Sequence, residues 1–274
     1  MTYILVALTT ASAAAGLWIP GLYRDAPAAE AVFRGYDLVS LVIVSPGLLV
    51  AALLARRGSM RAQLSWAGLL AYCVYGYAFY VFGTAFNDVF LIHVAVFTLS
   101  IATLVLLLAN LDVAGIAARF RERTPVRTVS VLLILLAVPI GVFWVFFSLR
   151  MAVTGEPPAD TLLVQSQAQL HLAYALDLAL LVAPYVLVAV LLWRRAAWGF
   201  VGATVLLVSG LVHQLSYIAA LWFQAQAEVP GATAFDPQEP IVFAVFLVAL
   251  VLLLANLSGR AGGARAHGRP ADTR

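Results

Sequence analysis

LSWAGLLAYCVYGYAFYVFGTAFNDVFLIHVAVFTLSIATLVLLLAN, residues 64–110, carries the features that decide the fold. Two apolar runs, Leu64 to Phe82 and Phe90 to Leu111, flank the turn-forming GTAFND at 83–88. Each run is about as long as an α-helix needs to cross hydrocarbon roughly 30 Å thick. Hydrocarbon offers backbone groups no outside partner, so such a run is helical. The same stretch brings polar chemistry into apolar surroundings, as Tyr72, Tyr75, Tyr77, Tyr80 and His93.

The rest of the chain repeats this pattern. Of 274 residues, 64% are hydrophobic and 11% charged, where a soluble domain carries roughly 25% charged residues. Further apolar runs cover Met1 to Ile19, Tyr36 to Ala55, Val129 to Phe147, Leu170 to Trp193, Trp198 to Phe223 and Pro240 to Leu257. The first lacks a basic leader and reads as a retained span rather than a signal peptide. The expectation is an all-α polytopic transmembrane bundle of about eight spans.

Arginine gives the orientation. All 16 basic residues are Arg, and all but Arg24, Arg34 and Arg150 fall after the second, fourth and sixth spans or in the C-terminal tail. The positive-inside rule then places both termini in the cytoplasm of a cell (inner) membrane protein. Trp66, Trp193 and Trp198 are expected at the inner interface, Trp18 and Trp222 at the outer one.

The chain also repeats internally. LVLLLANL occurs at 104–111 and again at 250–257. Pro46 precedes Arg56-Arg57 by the same spacing as Pro184 precedes Arg194-Arg195. These matches predict two parallel four-helix repeats, 1–111 and 129–257, whose even span number relates them by an axis along the membrane normal. Residues 112–128 form a basic cytoplasmic linker. Residues 258–274 form a basic tail, expected to be disordered and to touch anionic headgroups.

The stretches GLYRD (21–25), RGYDL (34–38), ARRGSMR (55–61) and YAFYVFG (77–83) with Phe86-Asn87 resemble a group of uncharacterised bacterial multi-span membrane proteins. The resemblance covers mainly the chain up to Asn110 and implies the same architecture.

Several chemistries are excluded. Without Lys there is no retinal Schiff base and no lysine-based covalent catalysis. The single cysteine, Cys73, allows no internal disulfide, covalent haem motif or thiolate cluster. No phosphate-binding loop, dinucleotide fingerprint or zinc-protease motif is present, and nucleic-acid binding is not indicated.

The polar residues within the spans are the functional candidates, because each is costly in hydrocarbon. On the expected topology Asp177, His213, Gln214, His93, Tyr75, Tyr80 and Tyr217 all fall in outer halves, with Asp37 and Asn87-Asp88 at the outer rim. Asp177 is expected to approach His213 within a hydrogen bond, directly or through one water, with Tyr75 or Tyr80 completing the cluster. Tyr72 with Tyr75, and Tyr77 with Tyr80, share helix faces, so one pair is expected inside and the other toward lipid or a neighbouring span. Pro46, Pro139 and Pro184 are expected to kink their helices.

Three functions fit. The first is transport or binding of a small molecule or ion through a polar pocket open to the outer face. The second is a redox membrane protein holding haem or quinone through His93, His213 and the tyrosines. The third is a non-catalytic accessory subunit, in which the same polar groups only hold helices together. No residue is assigned a catalytic role.

Overall fold

A computed structural model describes residues 1–158 and 162–258. Nearly all of the expected basic tail lies outside them. Among the described residues the chain is all helical, with a single isolated bridge between Phe120 and Leu257. The helices are α1 (Thr2–Trp18), α2 (Pro27–Arg56), α3 (Met60–Phe82), α4 (Phe90–Ala109), the short α5 (Val113–Ala117), α6 (Val126–Thr154), α7 (Gln167–Trp193), α8 (Ala197–Gln226) and α9 (Gln238–Leu254). Six of them, α2, α3, α4, α6, α7 and α8, are long and apolar enough to cross a membrane; α1 and α9 are shorter apolar helices.

Local chemistry sets the helix ends. Pro27 opens α2 at a position where its missing N–H costs nothing. The Ser59 side chain accepts from the Ala62 N–H at 3.3 Å and starts α3. Ser166 and Gln169 form a reciprocal capping box at the start of α7. Gly155, at φ 73°, ends α6 in the left-handed conformation that glycine adopts without strain.

Two helices carry a widened turn, Ser40–Val44 in α2 and Asp177–Val182 in α7. Each lies just ahead of a proline, Pro46 and Pro184. A proline ring clashes with the carbonyl four residues back. Here the backbone reaches one residue further: Ser45 N–H donates to Ser40 and Ala183 N–H to Leu178. Pro139 sits inside α6 without such a turn.

The helices pack in two circuits. In one, α1 contacts α2 and α4, α2 contacts α3, and α3 contacts α4. In the other, α6 contacts α7 and α9, α7 contacts α8, and α8 contacts α9. The circuits meet where α8 packs on α2 and α3. Gly35 permits that contact, since a Cβ there would lie 2.5 Å from the Ala220 backbone nitrogen.

Connecting segments gather at two ends. At the acidic end Arg24 pairs with Asp88 at 2.8 Å, and Asp25 accepts from the Ala85 N–H at 2.9 Å. The buried Gln224 amide there binds Val164 and Ala28. At the arginine-rich end Arg61 donates to the Leu257 carbonyl at 2.7 Å, and Arg195 to the Glu122 carbonyl at 2.7 Å. Arginine there satisfies carbonyls that helix ends and the linker leave unpaired.

The structure moves one expected boundary with consequences. α2 begins at Pro27, about two turns before the apolar run starts, because the PAAEAVFRG stretch has the helical spacing to bury one face. Asp37 is therefore not at a rim but fully buried, as is most of Asn87. Asn87 Oδ1 accepts from the Val89 N–H. Asp88 stays exposed, as a rim residue should.

Candidate ligand cavity

The second widened turn opens on Asp177. The residue lies ten positions into α7, roughly 15 Å along the helix at about 1.5 Å per residue. A carboxylate at such depth needs donors, and two other helices supply them. The Tyr75 hydroxyl of α3 donates to one oxygen, and Trp144 Nε1 of α6 donates to the other at 2.9 Å. Trp144 is itself fixed by Tyr174, with ring centroids 3.9 Å apart.

Beside this carboxylate lies a cavity of about 410 Å³. Helices α2, α3, α6, α7, α8 and α9 wall it, and Leu162, Gln165 and Gln238 carry it to the acidic end. His213 forms part of the wall, with its ring edge against Tyr75 at 4.8 Å and near Tyr36 at 6.0 Å. Its Nδ1 has no protein partner among the described residues. Gln214 donates to the Glu239 carboxylate, which also lines the cavity. Tyr217 completes that side.

A smaller pocket of about 150 Å³ lies one to two turns nearer the arginine-rich end, lined by Ala71, Leu104, Tyr185, Leu206, Ser209 and Gly210. Tyr75, Leu181 and His213 line both spaces.

Five sequence candidates therefore converge on one cavity: Asp177, His213, Gln214, Tyr75 and Tyr217. Tyr75 joins Asp177 as expected, but among the described residues Asp177 and His213 form no direct hydrogen bond. Asp177 turns to Tyr75 and Trp144 because phenol and indole satisfy both of its oxygens, and His213 meets the Tyr75 ring instead.

His93 and Tyr80 belong elsewhere. They sit in a closed cluster around Asp37, between α1, α2, α3 and α4. Tyr23 donates to Asp37 at 2.5 Å and Tyr80 at 2.9 Å. Burial, reinforced by that carboxylate, holds the Tyr23 phenol well above its ordinary pKa, so it remains a donor. The His93 ring lies 4.8 Å from Tyr80 and 6.1 Å from Tyr77, and neither ring nitrogen has a protein partner among the described residues. The cavity that His213 lines does not reach His93, so the two histidines do not form one ligand pair. Of the two alternatives for the tyrosine pairs, Tyr77 and Tyr80 take the neighbouring span, packing on His93 of α4, while Tyr75 lines the cavity. All four are buried, and Tyr72 bonds Ser216 of α8 at 2.7 Å, because α2, α4 and α8 all pack on α3.

Sequence reading missed Trp144, Tyr36 and Glu239 as members of this site. Trp144 sits in an apolar run with no polar neighbour to flag it. Among the described residues no group of three or more His, Cys, Asp or Glu is placed to hold a metal ion. No family model matches this chain, and neither a curated protein nor a solved structure matches it.

Proposed function

We propose that the chain is an integral membrane protein of eight spans that binds a small molecule in the Asp177 cavity and passes it across the bilayer. Both termini lie on the cytoplasmic side of the inner membrane, and the cavity faces outward. At 17 residues each, α1 and α9 fall at the short end of the roughly 17–25 residues a span needs.

The two packing circuits support a parallel duplication, α1–α4 against α6–α9. So do the matched widened turns before Pro46 and Pro184. The repeated LVLLLANL segments also end alike: Asn110 donates to the Leu106 carbonyl and Asn256 to the Leu252 carbonyl, each at 2.8 Å. The arginine-rich end supports the orientation.

One observation carries the transport reading: three side chains, Tyr75, Leu181 and His213, line both the outer cavity and the deeper pocket. Movement of these shared side chains would join the two spaces. Binding sites near mid-membrane, at helices with irregular turns, suit alternating access. The test needs no substrate. Cys73, the one native cysteine, is replaced by Ala, and Ser209 by Cys. A membrane-impermeant thiol reagent should label position 209 from both faces. Labelling from the outer face alone, or from neither, removes the transport reading. Reporter fusions at Arg61, Arg123 and the C-terminus should all report cytoplasm.

A further inference from the structure

We propose that the ligand of the Asp177 cavity is an organic cation, an ammonium group carried on an apolar or aromatic body; this rests on the cavity being a ligand site. The charge balance of the walls is the first argument. Asp177 and Glu239 both line the cavity, and no arginine does. The nearby arginines are engaged elsewhere: Arg34 with the Leu17 carbonyl and Glu30, Arg150 with Glu156. An anion would meet two carboxylates with no counter-charge. A neutral ligand would dehydrate them without compensation.

The manner in which the carboxylates are held is the second argument. Their side-chain partners are neutral donors: Tyr75 and Trp144 for Asp177, Gln214 for Glu239. Such bonds orient a carboxylate and leave its charge in place. Each Asp177 oxygen accepts one of these bonds and keeps acceptor capacity for an N–H of the ligand. His213 Nδ1 on the same wall has no protein partner among the described residues, and accepts when the ring proton is on Nε2.

The remaining wall decides between a metal ion and an organic one. Rings of Tyr36, Tyr75, Phe143 and Trp144 line the cavity beside Leu136 and Val242. Aromatic faces attract an alkylammonium, and apolar side chains take its body; neither ligates a hydrated metal. The volume of about 410 Å³ lies in the range of small-molecule sites.

The test is a charge series on one ring body, measured by calorimetry on purified full-length protein. The probes are benzylammonium, its neutral carbon isostere ethylbenzene, and benzenesulfonate. The cation should bind at least tenfold more tightly than the isostere, with the sulfonate weakest. Asp177→Asn should lose at least tenfold for the cation and little for the isostere. Because Asp177→Asn is able to disturb folding, Glu239→Gln is measured beside it and should weaken the cation selectively as well. Equal binding of cation and isostere, or equal losses for both in the variants, overturns the cation assignment and leaves a ligand cavity. Binding of none of the three, with Ser209→Cys labelled from both faces, also overturns it while passage stands. Binding of none with no labelling overturns both readings.

Discussion

The Asp37 cluster and the Asp177 cavity solve one problem in two ways. Each buries a carboxylate in the acidic-end half of a helix, at or just before a widened turn and a proline. Each gives both oxygens an aromatic donor, Tyr23 and Tyr80 in one case, Tyr75 and Trp144 in the other. They differ in what lies beside the carboxylate. At Asp37 the helix α1 closes in, and Gly16 is what lets it: a Cβ there would lie 1.8 Å from the Asp37 Oδ2. At Asp177 the neighbouring helix offers an indole, and a cavity remains. A buried carboxylate is thus structural where chain fills the space beside it and available to a ligand where it does not.

That contrast can be broken by substitution, with thermal unfolding in detergent as the common measure. Gly16→Leu should have the largest effect. It drives a side chain into the Asp37 carboxylate and the Tyr23 hydroxyl, and should cost about 3 kcal/mol or more. Unfolding at the native temperature would mean that α1 does not seal the cluster.

Asp37→Asn comes next. The amide accepts at one atom only, so one of the two buried phenols faces a second donor, for about 2 kcal/mol. Binding at the cavity should be unchanged; a change would mean the two regions are coupled. Asp177→Asn also sets an amide donor against one of two ring donors, yet the site borders open space, and the loss should stay near 1 kcal/mol. A loss equal to that of Asp37→Asn would make both carboxylates structural and erase the distinction. The smallest effect is expected at the exposed Arg24–Asp88 pair, where Arg24→Ala should change stability by less than about 0.5 kcal/mol.

Much of the site was legible from residue type and position. Asp177, His213, Gln214, Tyr75 and Tyr217 are polar groups in apolar runs, and on alternating spans their numbering alone puts them at similar depth. What depth does not give is rotation. Nothing in the spacing of Tyr75 and Tyr80 says that one meets Asp177 and the other Asp37, or that His93 joins the second group. Trp144 was invisible because a tryptophan in an apolar run shows its N–H only when an acceptor on another helix is known. Asp37 was misplaced because its partner Tyr23 comes from the segment before α2, and its burial depends on α1 packing against it.

The sequence by itself determined the helical class, the apolar runs that suit a membrane, the two ends of opposite charge and the set of polar side chains from which a site is drawn. These follow from composition and from the backbone's need to pair with itself wherever water is absent. Tertiary structure alone decided which polar residues meet and where space is left. In helices apolar on nearly every face, periodicity carries little signal of which side turns inward. That choice is made by close packing between helices, at contacts such as Gly35 on Ala220 and Gly16 on Asp37.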